Sequence, residues 1–209
     1  MPDFIAISHV HKRTSGLATS TPGPTPGEVA VRVDGVDYGP FALTGLPRLE
    51  FVDCGGFFGS SPSDADFDEF NVGSTLGGTD LFAADMSSGP IPPFTTTYGS
   101  VIVAGGALNC TALASTFTAA EYDFGSEVAS DYYIHLVVRF DASMVDANEH
   151  GTFATAFSLT DFFGIGFYAS GLDTGTVTVF TNTDDTTFTL PAGIVADQWY
   201  TVDIHVNAP

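Results

Sequence analysis

A chain of 209 residues, 44% of them apolar, is long enough to bury a substantial core and is not a disordered tail. Its formal charge of −20, with only five Lys and Arg, makes a surface that repels phosphate backbones and anionic lipid head groups. Neither nucleic acid nor a membrane surface is therefore an expected partner; the charge suits solubility, tolerance of high salt or capture of a cation, of which solubility is the favoured reading.

Four of the five basic residues, Lys12, Arg13, Arg32 and Arg48, fall in the first 48 positions, and only Arg139 comes later. Phe4–Ile7 is too short an apolar run for a signal peptide, and His11-Lys12-Arg13 follows it instead of preceding it. No apolar run approaches the length that spans a bilayer. Residues 14–27 hold three prolines and three glycines, which block helix and central strand, so 1–27 reads as an extended basic arm that orders only against a partner. Valines then alternate from Val29 to Val33, and Asp34-Gly35 supplies a two-residue turn, predicting a hairpin with strands near 28–33 and 36–43. Leu49–Val52 is a further short strand. The stretch 53–97, rich in Gly, Ser, Asp, Thr and Pro, reads as mostly loops and short strands.

Strand signals are strong from residue 98 onward. Ser100–Val103, Tyr132–Phe140, Gly164–Tyr168, Thr176–Phe180, Thr186–Leu190 and Trp199–Val206 are all β-branched or aromatic runs. In the last, Tyr200, Val202, Ile204 and Val206 share one face and Thr201, Asp203 and His205 the other, as in a half-buried antiparallel strand. Thr111–Ala120 is the best helix candidate, weakened by its threonines. Many short strands between polar turns imply an all-β, antiparallel two-sheet sandwich. Residues 1–27 form its arm, 28–52 a hairpin region and 53–209 the sandwich proper.

Three places resemble the concanavalin A-like jelly-roll superfamily in its laminin-G or pentraxin form. They are Asp68–Asp80, similar to a "D-F-N-R … L-G … W" opening with Val72 in place of Arg; Asp131–Asp141, similar to the long central strand; and Asp197–Asn207, similar to a "W-Y-x-V-x-I-x-V" strand. Such domains normally continue past that last strand. The sheet is thus completed by the N-terminal hairpin or a neighbour, or the chain is part of a longer one. The resemblance implies a jelly-roll module that binds glycan or protein, of a kind found in phage tail fibres, head fibres and capsid decorations.

Asp64, Asp66 and Asp68 are the most suggestive acids. They would share one face of a strand, or chelate Ca²⁺ from a loop. Glu69 stands where an EF-hand needs glycine and Thr75 where it needs the bidentate Glu, so the run reads as a solvated acidic loop. Compared with the paired carboxylates of jelly-roll glucanases, it has no Trp nearby to stack on a sugar. His135, Asp203 and His205 suggest a triad or a metal site on neighbouring strands, but no Gly-x-Ser-x-Gly nucleophile elbow accompanies them, and they read as surface residues. His9 and His11 match no site spacing. Gly164–Ala169 fits G-x-G-x-x-A without the helix that a dinucleotide needs, so its glycines mark a bulge or a close approach. Asn109-Cys110-Thr111 is a glycosylation acceptor of consequence only in a secretory pathway. Cys54 and Cys110 make no zinc signature and are either buried thiols or one disulfide. Phe57-Phe58 and Phe162-Phe163 place adjacent rings on opposite faces, and the excess of Phe over Tyr and Trp favours packing over sugar platforms.

These observations lead to a non-enzymatic bacteriophage virion structural protein, with no catalytic residue, metal or cofactor expected. It would be a capsid-decorating, head-fibre or tail-fibre component, made in the host cytoplasm and located in the virion. Residues 1–27 would hold it to other capsid or tail proteins. Symmetric self-association is expected, trimers being common in such assemblies. A lectin-like, Ca²⁺-dependent glycan-binding module is the alternative, and a glycoside hydrolase the third reading.

Overall fold

The computed structural model describes residues 23–55, 57–58, 63–86, 93–112, 117–141, 150–167 and 175–209. Among these described residues there are no helices and sixteen strands. In chain order they are β1 (Glu28–Val33), β2 (Val36–Ala42), β3 (Phe51–Gly55), β4 (Phe57–Phe58), β5 (Ser63–Gly73), β6 (Phe82–Asp85), β7 (Thr96–Tyr98) and β8 (Ser100–Ala104). There follow β9 (Ala107–Ala112), β10 (Ala119–Asp123), β11 (Asp131–Phe140), β12 (His150–Phe157), β13 (Phe162–Phe167), β14 (Thr176–Thr181), β15 (Asp185–Thr189) and β16 (Trp199–Asn207).

Two antiparallel eight-stranded sheets result, and neither closes into a barrel. The first runs β2-β1-β16-β11-β5-β9-β8, with β6 also on β5; the second runs β15-β14-β13-β12-β3-β10-β7, with β4 also on β12. One hydrophobic core joins their facing sides. Every second residue of β11 points into it: Tyr132, Ile134, Leu136 and Val138 are fully buried. From the other sheet come Val52, Cys54, Ala154, Ala156, Phe163 and Ile165, each with no exposed surface. Burying one large apolar side chain contributes about 1.5–3 kcal/mol, so these alternating runs bind the layers together. Tyr132 keeps its polar end satisfied by donating its hydroxyl to Pro47 O at 3.1 Å.

The N-terminal hairpin forms where Asp34 and Gly35 permit it, with φ of 48° and 83°. Its strand β1 pairs with β16 from Glu28↔Asn207 to Val33↔Val202, so the hairpin covers the edge of the last strand. The turn is fastened as well: Thr201 N donates to Asp34 Oδ1 at 2.9 Å.

The stretch 53–97, read as mostly loops and short strands, also holds one long strand: β5 has eleven residues and lies beside β11. Its period-2 pattern is interrupted by a bulge: Val137 faces Glu69, but Val138 faces Phe67. Asp68 is the extra residue, and Phe67 and Phe70 both reach the core. The helix candidate at 111–120 is also corrected at its ends, since Thr111 lies in β9 and Ala119 and Ala120 in β10. Residues 113–116 lie outside the described residues.

Candidate functional site

The outer face of the first sheet carries most of the residues singled out in the sequence. His135 and His205 do lie on adjacent strands, but they have separate partners. His135 stands directly opposite Asp203, and its Nδ1–H donates to Asp203 Oδ1 at 2.6 Å. Glu69 Oε2 lies 3.4 Å from its Nε2. Burial opposes the charge on His135, yet the Asp203 hydrogen bond and the two carboxylates outweigh it and raise the imidazole pKa. His205 instead stacks on Tyr133, ring centroids 3.9 Å apart, and donates to Asp131 Oδ1 at 2.6 Å.

The acidic run is strand, not loop. Asp66 is clamped by Arg139, through both Nε at 3.1 Å and Nη2, and accepts a hydrogen bond from Asn109 Nδ2 at 2.7 Å. Arg139 in turn lies 5.0 Å above the Trp199 ring. Asp64, Asp66 and Asp68 do not form a common triad, because the bulge hands the outer face from Asp66 to Glu69. Among the described residues no group of three His, Cys, Asp or Glu side chains could hold a metal ion. Cys54 and Cys110 are unbonded and buried, with Cys110 Sγ 4.0 Å from Cys54 O. Gly164 lies in β13, where a Cβ would sit 2.6 Å from the Phe180 ring, a close approach of ring to backbone. Of the paired rings, Phe163 is buried, while Phe162 faces outward against Phe180, centroids 5.6 Å apart. The side chains of Phe57 and Phe58 lie outside the described residues.

The second sheet's outer face holds a different arrangement, one that sequence reasoning missed. An open groove of about 480 Å³ is lined by Asp53, Glu121, Tyr98, Phe117, Phe157 and Phe162, among others. Strands β10, β3 and β12 lie side by side there, so Glu121, Asp53 and Thr155 form one row across them. Asp53 is the floor of the groove, only 4% exposed. Its Oδ1 has no hydrogen-bond partner, and neither has Thr155 Oγ1. Burial, then the charge of Glu121, push the Asp53 pKa up to about 7, and the nearby Thr155 hydroxyl only partly opposes them. Burial raises Glu121 as well, against a long hydrogen bond of 3.4 Å from the Tyr98 hydroxyl. Leu159, 83% exposed, stands on the rim.

Three acids, Asp161 and the cross-strand pair Asp53 and Glu121, thus share an aromatic-walled groove, and no Lys, Arg or His is among the described residues that line it. What the arrangement suits is a positive group, which would neutralise the pair and rest against the rings. The outward aim of Asp53 was readable between Val52 and Cys54; its burial depends on distant segments that close over it. No family model matches the chain, and no match was found among curated proteins or solved structures.

Proposed function

We propose that the protein is a non-enzymatic structural component of a bacteriophage particle, a head decoration or a fibre part, held through residues 1–27 and presenting an acidic β-sandwich to the medium. The observation that carries this reading is the way residues 23–27, which follow the basic leader, are fastened to the sandwich. Pro24 is buried, Asn207 Nδ2 donates to Pro24 O at 3.0 Å, and Gly27 N donates to Asn207 O at 2.8 Å. Residues 23–27 are therefore fastened to the end of β16, and Lys12 and Arg13 precede them in sequence by ten residues or more. That is the layout of a tethered module, with attachment and display separated by charge. The finer form belongs to the same reading: the long central β11 between β5 and β16 suits a concanavalin A-like jelly roll. Mass spectrometry of purified particles from the source tests the proposal. The polypeptide is expected there in defined stoichiometry with the major shell or tail protein. Particles that lack it would sink the reading.

A further inference from the structure

We propose that the groove on the second sheet is a docking site for the leader of this same protein, with Lys12 and Arg13 set against Asp53 and Glu121 and their stems along Tyr98 and Phe157. The occupant follows from charge. Of the five Lys and Arg residues, three are already in ion pairs on the sandwich: Arg32 with Asp37, Arg48 with Glu127 and Arg139 with Asp66. The remaining two are neighbours in the leader. The groove presents the complementary need: a buried carboxylate oxygen with no partner, a second acid directly across the strand pair, Asp161 beside them, aromatic walls and no cation among its described lining residues.

The geometry agrees. A chain of contacts links the leader's root to the groove wall at one end of the sandwich. Asn207 bonds to Pro24 and Gly27, the next residue Ala208 bonds to Ser130 O, Leu49 bonds to Ala129 O, and Glu50 bonds to Phe157 O. Phe157 lines the groove. Gly23 lies against the His205 ring on the outer face of the first sheet, so the leader has to round the end of the sandwich to reach the groove; from Gly23 back to Arg13 is ten residues, an extended reach of about 33–36 Å, which is more than three times the roughly 10 Å spacing of two packed sheets. This goes beyond the attachment reading, because it gives the leader a resting place on its own body before any platform takes it.

Zero-length carbodiimide coupling on the purified full chain tests it. Lys12 is the only lysine, so apart from the N-terminus it is the sole amine. The expected product is an amide from Lys12 to Glu121 or Asp53, found in preference to the chain's other acids and suppressed by 1 M salt, whose screening length is about 3 Å. Coupling scattered over exposed acids such as Asp185 and Glu127 would overturn the proposal, as would none at all. A mutant cycle at pH 8 reads the same contact without chemistry. In the natural leader Asp53→Asn should lower the melting temperature, and in a Lys12→Ala/Arg13→Ala chain it should raise it, each by about 2–8 °C. The same sign in both backgrounds rejects the docking. So does a glycan that binds the groove equally well in both. Particle composition judges the attachment reading separately, since these measurements need only the isolated chain.

Discussion

The two outer faces of the sandwich solve the same problem differently. On the first sheet, register brings opposite charges face to face: Arg139 against Asp66, His135 against Asp203, and Arg32 across from both Asp37 and Asp203. Neighbouring strands supply each of these acids with a donor, and of the acids on this sheet's described strands only Asp64, near the start of β5, keeps a buried oxygen without a hydrogen-bond partner. On the second sheet, register sets acid beside acid, Glu121 against Asp53, and then folds aromatic residues over them. Cross-strand pairing is local and cheap to complete. Where it is left incomplete beneath a cover, the missing group has to arrive from elsewhere.

The largest effect that would break this contrast lies at Asp53. In the Lys12→Ala/Arg13→Ala chain, Asp53→Asn should stabilise by about 2–4 kcal/mol at pH 8 and by almost nothing at pH 4, as read by urea denaturation. The sign follows from the direction of the shift. An acid whose folded pKa is raised, here to about 7, favours the folded state while protonated, and that advantage is lost as pH rises from the unfolded value to 7. Equal effects at both pH values would place Asp53 among ordinary surface acids.

Next comes Gly164→Val, which forces a side chain against the Phe180 ring and should cost about 1–3 kcal/mol. No loss of melting temperature would mean that the aromatic cover is loose. Arg139→Ala, on the finished face, strips Asp66 of its cation. Asp66 keeps Asn109 as a donor and Arg139 is 38% exposed, so the cost should stay near 1–2 kcal/mol. The smallest effect sharpens the comparison. Glu69→Gln should lower the NMR titration midpoint of His135, and Asp203→Asn should lower it further. The stabilisation this histidine gives is complete below its unfolded value near 6.5 and fades as pH rises through its higher folded one. It amounts to under about 1 kcal/mol, and its pH dependence should be confined to the interval between those limits.

Much of this fold was legible in alternation. Tyr200, Val202, Ile204 and Val206 point inward as read, and Asp34-Gly35 turns the hairpin as read. What escaped is equally physical. The inward residues of β5 are Ala65 and Phe67, then Phe70 and Val72, and the bulge at Asp68 moves them out of phase, so a period-2 reading sees only acids. In β12 the inward residues Ala154 and Ala156 are small and leave almost no hydrophobic trace. The groove was hidden for another reason. Asp53 lies in a short readable strand, but the segments at Tyr98, Phe117 and 157–162 that bury it are far away in the chain, and no local pattern encodes their convergence.

The pairing of β1 with β16 also governs how the molecule can be made. Roughly 170 residues must be synthesised between the two strands, about 10–30 s on a translating ribosome. Throughout that interval β1 has only its hairpin partner β2, its other edge is unpaired, and the emerging chain must tolerate an unfinished sheet. Closure is then a late, non-local event of the kind that makes β-rich chains slow to fold and dependent on being released whole.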